Sequence, residues 1–164
     1  MSVYFNADEV LEMAEQIERN GARFYRRAAE TQEEAESKKM LLNLALIEDE
    51  HEKTFAAMRA RLAEGDKTST AYDPDDEGIL YLQAMADGYI FDVKTDPSTR
   101  LTGAETMTDI LRTAIGLEKD SVIFYLGLKR MVPEWLGKGN LDGIIAEEMG
   151  HITLLSNRLK ASTH

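Results

Sequence analysis

Apolar residues recur every three or four positions through Val10, Met13, Ala14, Ile17, Gly21, Phe24, Tyr25 and Ala28, which predicts a helix with one apolar face over about residues 7–30. Asn6-Ala7-Asp8-Glu9 reads as the capping box that opens it. A second box, Thr31-Gln32-Glu33-Glu34, precedes the stripe Met40, Leu41, Leu44, Ala45, Glu48, Phe55, Met58 and Leu62, predicting a second helix that ends before Gly65. Over about 66–103 the pattern breaks into Asp, Pro, Thr and Gly clusters. Glu77 to Tyr89 still keeps helical spacing through Leu80, Met85 and Ala86, so a long crossover with one extra helix is expected. Thr102-Gly103-Ala104-Glu105 is a third capping box, opening a helix through Ile110, Leu111, Ala114, Leu117, Val122 and Tyr125 that ends before Pro133. A fourth helix is expected from about Asn140 to Leu159.

Two short connections and one long middle connection describe an all-α four-helix bundle with a crossover, the connectivity of ferritin-like folds. At 164 residues the chain has room for one such domain, spanning 1–164, and too little for two.

Composition removes several classes of function. The formal charge of −11 disfavours a nucleic-acid partner, whose phosphates require Lys and Arg to displace counterions. With no cysteine in the chain, disulfides, thiolate zinc sites and Cys-ligated iron are all excluded. No apolar stretch approaches a membrane span, and Met1-Ser2-Val3-Tyr4-Phe5-Asn6 has no basic stretch followed by an apolar one, so a cytoplasmic location is expected.

The chain repeats itself at an offset of one hundred residues. Glu18 with Phe24-Tyr25 recurs as Glu118 with Phe124-Tyr125, and Glu48-Asp49-Glu50-His51 recurs as Glu148-Met149-Gly150-His151. In each half the lone Glu precedes the paired Glu by the same interval, long enough for one helix to run out and the next to return. Residues three apart share a helix face, so each Glu-x-x-His can direct a carboxylate and an imidazole at one metal ion. Two such helices, with one Glu from each of the other two, form the ligand set of di-iron and di-manganese carboxylate bundles. The candidate ligands are Glu18, Glu48, His51, Glu118, Glu148 and His151.

The four glutamates fall on apolar stripes, where an unpaired carboxylate is costly. Glu18 lies among Ala14, Ile17, Gly21 and Tyr25, and Glu118 among Ala114, Leu117, Val122 and Tyr125. Leu41, Leu44, Ala45 and Phe55 flank Glu48 at helical spacing, while Leu141, Ile144, Ile145 and Leu155 flank Glu148. Two divalent ions would cancel four such charges. Mixed carboxylate and imidazole ligands suit iron, with manganese as the alternative, better than calcium or magnesium. Tyr25 and Tyr125 are core aromatics whose hydroxyls are candidates to bond the ligand carboxylates, and Gly21 reads as a close-packing position. Glu147 is also within helical reach of His151, but it corresponds to Ile47 in the repeat, and Glu50 and Glu52 read as solvated.

Ile17-Glu18-Arg19-Asn20-Gly21-Ala22-Arg23-Phe24-Tyr25, Glu48-Asp49-Glu50-His51, Ala114-Ile115-Gly116-Leu117-Glu118 and Glu148-Met149-Gly150-His151 together resemble the rubrerythrin family of the ferritin-like superfamily. The resemblance implies that Glu18 and Glu118 are terminal ligands, that Glu48 and Glu148 bridge two metals, and that His51 and His151 complete the shell. Rubrerythrins that act as peroxidases carry a further Glu three residues after the third-helix ligand, where this chain has Ser121. They also carry a four-cysteine rubredoxin module, absent here, so electrons would come from a separate donor protein. The more symmetric ligand set is similar to that of bacterioferritin or manganese-catalase centres.

The expected function is that of a non-haem di-iron oxidoreductase acting on hydrogen peroxide or dioxygen, by peroxide reduction or ferrous oxidation. Its rivals are an iron-binding or storage protein without turnover, an oxygenase or a catalase. Leu80, Tyr81, Met85, Tyr89, Ile90 and Phe91 give the crossover apolar surface, and a homodimer with or without exchanged hairpins is expected.

Overall fold

A computed structural model describes residues 7–62, 80–81 and 95–162. Four long helices carry the fold: α1 (Ala7–Glu30), α2 (Ala35–Ala60), α3 (Met107–Met131) and α4 (Lys138–Ser162). One-turn 3-10 segments stand at Pro97–Arg100 and Glu134–Leu136. The expected all-α four-helix bundle is therefore present. The extra crossover helix near Glu77 to Tyr89 lies outside the described residues apart from Leu80 and Tyr81, which are helical. Outside them too fall the Asn6 cap and, from the expected dimer surface, Met85, Tyr89, Ile90 and Phe91.

Local chemistry moves two of the expected helix starts. Thr31 does not cap α2; its hydroxyl donates to the Ala28 carbonyl at 2.8 Å and so closes the end of α1. Glu34 takes the cap position of α2, its carboxylate accepting from the Ser37 hydroxyl rather than from a helix amide. Thr102 and Glu105 do pair, the Glu105 carboxylate accepting from the Thr102 amide at 2.7 Å, but they shape a turn before α3. The box that opens α3 is Thr106 with Asp109, the Thr106 hydroxyl accepting from the Asp109 amide and the Asp109 carboxylate accepting from the Thr106 amide. α4 starts earlier and ends later than its apolar spacing suggests. Pro133 stops the preceding chain, and Gly137 turns it at φ 110°, a conformation that favours glycine, so helix can resume at Lys138.

Helices α1 and α2 pack as one hairpin, α3 and α4 as the other. Residue 25 meets residue 118 and residue 125 meets residue 18, so α1 and α3 run antiparallel. Contacts from residue 51 to 148 and from 151 to 48 set α2 and α4 antiparallel as well. It follows that α2 and α3 share a direction. Their connection must travel back along the bundle, roughly 37 Å for a helix of 25 residues, which is why the middle link is long and the other two are short.

The apolar interior is split in two. One cluster gathers Leu11, Ala14, Phe55, Met58, Tyr125, Leu128 and Leu141, and the other Phe24, Tyr25, Leu41, Leu44, Ile110, Leu111 and Leu155. Between them lies a layer of polar side chains. No helix among the described residues is long and apolar enough to cross a membrane. Phe55 is fully buried and touches Tyr125 at a ring-centroid distance of 5.0 Å, so Phe55→Ala should cost about 3–5 kcal/mol in denaturant unfolding. Thr106→Ala, which removes a cap, should cost about 1 kcal/mol in the same measurement.

Candidate metal centre

Each helix delivers polar groups to the layer because its apolar stripe is interrupted there by glutamate. Glu18 and Glu148 are 0% exposed, Glu48 4% and Glu118 3%, although a carboxylate in such surroundings is stable only with a partner. His51 and His151 are buried beside them, their ring planes 25° apart and their centroids separated by 6.1 Å. No Lys or Arg is buried among the described residues.

The six residues form two overlapping groups. Glu18, Glu48, His51 and Glu148 offer one ligand atom each, all within 4.8 Å of one another, and Glu48, Glu118, Glu148 and His151 do the same. Glu48 and Glu148 belong to both. His51 presents Nδ1 to its group, 2.8 Å from a Glu148 oxygen and 3.4 Å from Glu18. His151 presents Nδ1 likewise, 3.3 Å from Glu148, 3.4 Å from Glu48 and 3.5 Å from Glu118.

Two tyrosines cross-brace the layer. Tyr25 on α1 donates its hydroxyl to Glu118 on α3, and Tyr125 on α3 donates to Glu18 on α1. Burial, reinforced by the nearby glutamates, pushes both phenols well above their usual range, so both keep their protons and remain donors. Each brace leaves one oxygen of its glutamate for another partner.

Four buried atoms make no well-directed hydrogen bond: Glu18 Oε2, Glu48 Oε1, and His51 Nδ1 and Glu148 Oε1, which face each other at 2.8 Å as a close electrostatic contact. All four belong to the first ligand group. Buried polar atoms are almost always satisfied, and these are acceptors or lone-pair donors converging on one space. A cation satisfies such a set, and the residues present therefore fit a metal.

Titration points the same way. Burial raises Glu18 and Glu48 well above the ordinary carboxylate range, with repulsion from the other glutamates adding to it. Burial likewise carries Glu118 to about 8, helped by its contact with Glu148. Burial alone would raise Glu148 too, but hydrogen bonding from Glu118, His151 and His51 holds it well below the usual range. Burial would depress the histidines; instead Glu148 and Glu147 lift His51 to about 9, and Glu118 and Glu148 lift His151 to about 10. Protons do in this layer what metal ions would do better.

Gly21 has a second role beyond helix packing. A Cβ placed there would stand 3.2 Å from Glu48 Oε2, so the missing side chain gives that carboxylate its room. Ser121, its counterpart in the repeat, is small and spends its hydroxyl on the Leu117 carbonyl at 3.1 Å. Glu50 and Glu52 are solvated, paired with Lys53 and Arg19. Glu147 belongs to neither ligand group, yet its Oε2 lies 2.6 Å from His51 Nε2 across the bundle. Spacing along α4 points only to His151; antiparallel pairing of α2 with α4 is what reveals the contact.

No protein-family model matches the chain, and no curated protein matches it. Among solved structures it is similar to the crystal structure of a Thermotoga maritima protein provisionally described as a ferritin-like diiron-carboxylate protein. The TM-score is 0.71 and the identity 28%, over 97% of each chain. The match runs through both hairpins, and the fold is ferritin-like.

Metal-free protein should lose stability as pH rises. Glu118 holds its proton up to about pH 8 when folded but releases it near 4.5 when unfolded, so unfolding releases a proton across that interval. The favourable pairing of His51 and His151 is complete below the unfolded value of 6.5 and is lost as pH climbs through about 9 and 10. Glu148 acts oppositely, its contribution being present above 4.5 and lost as pH falls through its lowered value. Calorimetry on chelator-treated protein should show the melting temperature falling from pH 5 to pH 9, whereas metal-loaded protein should be weakened at the acid end.

Proposed function

We propose that the chain is a ferritin-like di-iron-carboxylate protein of rubrerythrin type that reduces hydrogen peroxide or dioxygen. What carries this reading is the pair of four-donor groups sharing Glu48 and Glu148, with four buried atoms in one of them that make no well-directed hydrogen bond. The likeness to a protein provisionally described as diiron-carboxylate supports it.

In this reading Glu18 and Glu118 are terminal ligands, Glu48 and Glu148 span both positions, and His51 and His151 each supply Nδ1. Two ferrous ions would supply one electron each, enough for one peroxide and two protons to become two waters. The tyrosine braces hold Glu18 and Glu118 by one oxygen while the other stays free to ligate. Glu48 packs its carboxylate against Gly21, where any side chain would crowd Oε2 at 3.2 Å, so the glycine lets it reach the position from which it would ligate. Above and below, Phe55 and Phe24 with their apolar neighbours keep bulk water out. Lacking cysteine, the chain would draw electrons from a separate donor protein. A homodimer is part of the proposal, and solution mass measures it.

Iron-loaded protein reduced without oxygen and titrated with peroxide should consume one peroxide for every two irons oxidised, faster than free ferrous iron reacts. Oxidation no faster than that of aqueous ferrous iron would refute the reading.

A further inference from the structure

The repeat makes the two metal positions equivalent in their ligands, but the residues behind the histidines differ. Glu147 accepts from His51 Nε2 at 2.6 Å, and a carboxylate can only accept, so Nε2 keeps its proton and Nδ1 is the nitrogen that would give up its own to a metal. That nitrogen already faces Glu18 and Glu148. The counterpart of Glu147 one hundred residues earlier is Ile47, which has nothing to offer an imidazole. Among the described residues, His151 meets carboxylates through Nδ1 alone.

His151 also borders a cleft of about 400 Å³ between α2 and α4, where Ile47, Met40, Leu44 and Leu154 form the apolar part of the wall. The imidazole for which the described residues supply no outer carboxylate thus lines this cleft. A carboxylate on the outer nitrogen of a ligating imidazole fixes its tautomer and raises its basicity, and removing such a partner typically costs about 10–100-fold in metal affinity.

On the di-metal reading above, we propose that the two positions are built unequal. Glu147 is a positioning residue that makes the His51 position the tighter one. The His151 position, beside the cleft, binds its ion more weakly and exchanges it first.

Cobalt(II) added without oxygen to metal-free protein, followed by absorption and calorimetry, tests this. Wild type should bind two equivalents in two resolved steps. His151→Ala should remove the second step and leave the first. Glu147→Gln keeps a neutral acceptor but loses the charge, and should weaken the first step by about 10–100-fold, merging it with the second. Glu147→Asp should restore part of the loss and Ile47→Glu should strengthen the second step. Glu147 has a side chain 61% exposed, so its variants should still fold when metal-free, melting only modestly below wild type for the weakened bond to His51. Two equivalents bound with one shared affinity, or a Glu147→Gln loss that falls on both steps alike or on neither, would overturn the inference while leaving the di-metal reading intact. No cobalt bound by wild type would overturn both.

Discussion

Four carboxylates sit in one layer of a helical core that contains no Lys or Arg among its described residues, and that constraint organises everything around them. Two histidines cannot neutralise four glutamates, and their mutual repulsion rises in a low-dielectric interior. Without cations the layer is held together by retained protons: burial raises Glu18, Glu48 and Glu118, while Glu148 stays ionised between two imidazoles. On the di-metal reading, two divalent ions would replace those protons and give the stranded oxygens and nitrogen their partners.

The bundle surrounds this layer with matched supports. Tyr25 and Tyr125 tie α1 to α3 through the very glutamates that would otherwise repel, so a contact between hairpins depends on the site being there. The apolar clusters flank it on two sides, leaving the cleft beside His151 as an approach from solvent. Symmetry fails where function could use a difference. Gly21 clears space for Glu48 while Ser121 closes its hydroxyl on its own helix, and Glu147 steadies one histidine while its counterpart Ile47 has no polar group to offer the other.

The helices and the six residues were legible because burial, spacing and repetition converge on the same positions. Periodicity placed Glu18, Glu48, Glu118 and Glu148 inward, and the constant offset brought the two halves to one depth. Capping was less legible. Thr31 and Thr102 carry the right residue at the right spacing, yet each serves a turn, since a hydroxyl can bond a preceding carbonyl or a loop carboxylate as well as a helix amide. Glu147 was unreadable for a different reason. Its partner lies on another helix, ninety-six residues away, and helical spacing reports only neighbours along one strand of chain.

The account rests on two cations occupying the layer of buried glutamates, and elemental analysis tests that most directly. Protein purified without chelators should carry close to two irons per chain, and Glu148→Ala, which removes a residue shared by both ligand groups, should lose most of them. Wild-type protein free of transition metal, or a variant that keeps the same metal content, would contradict it.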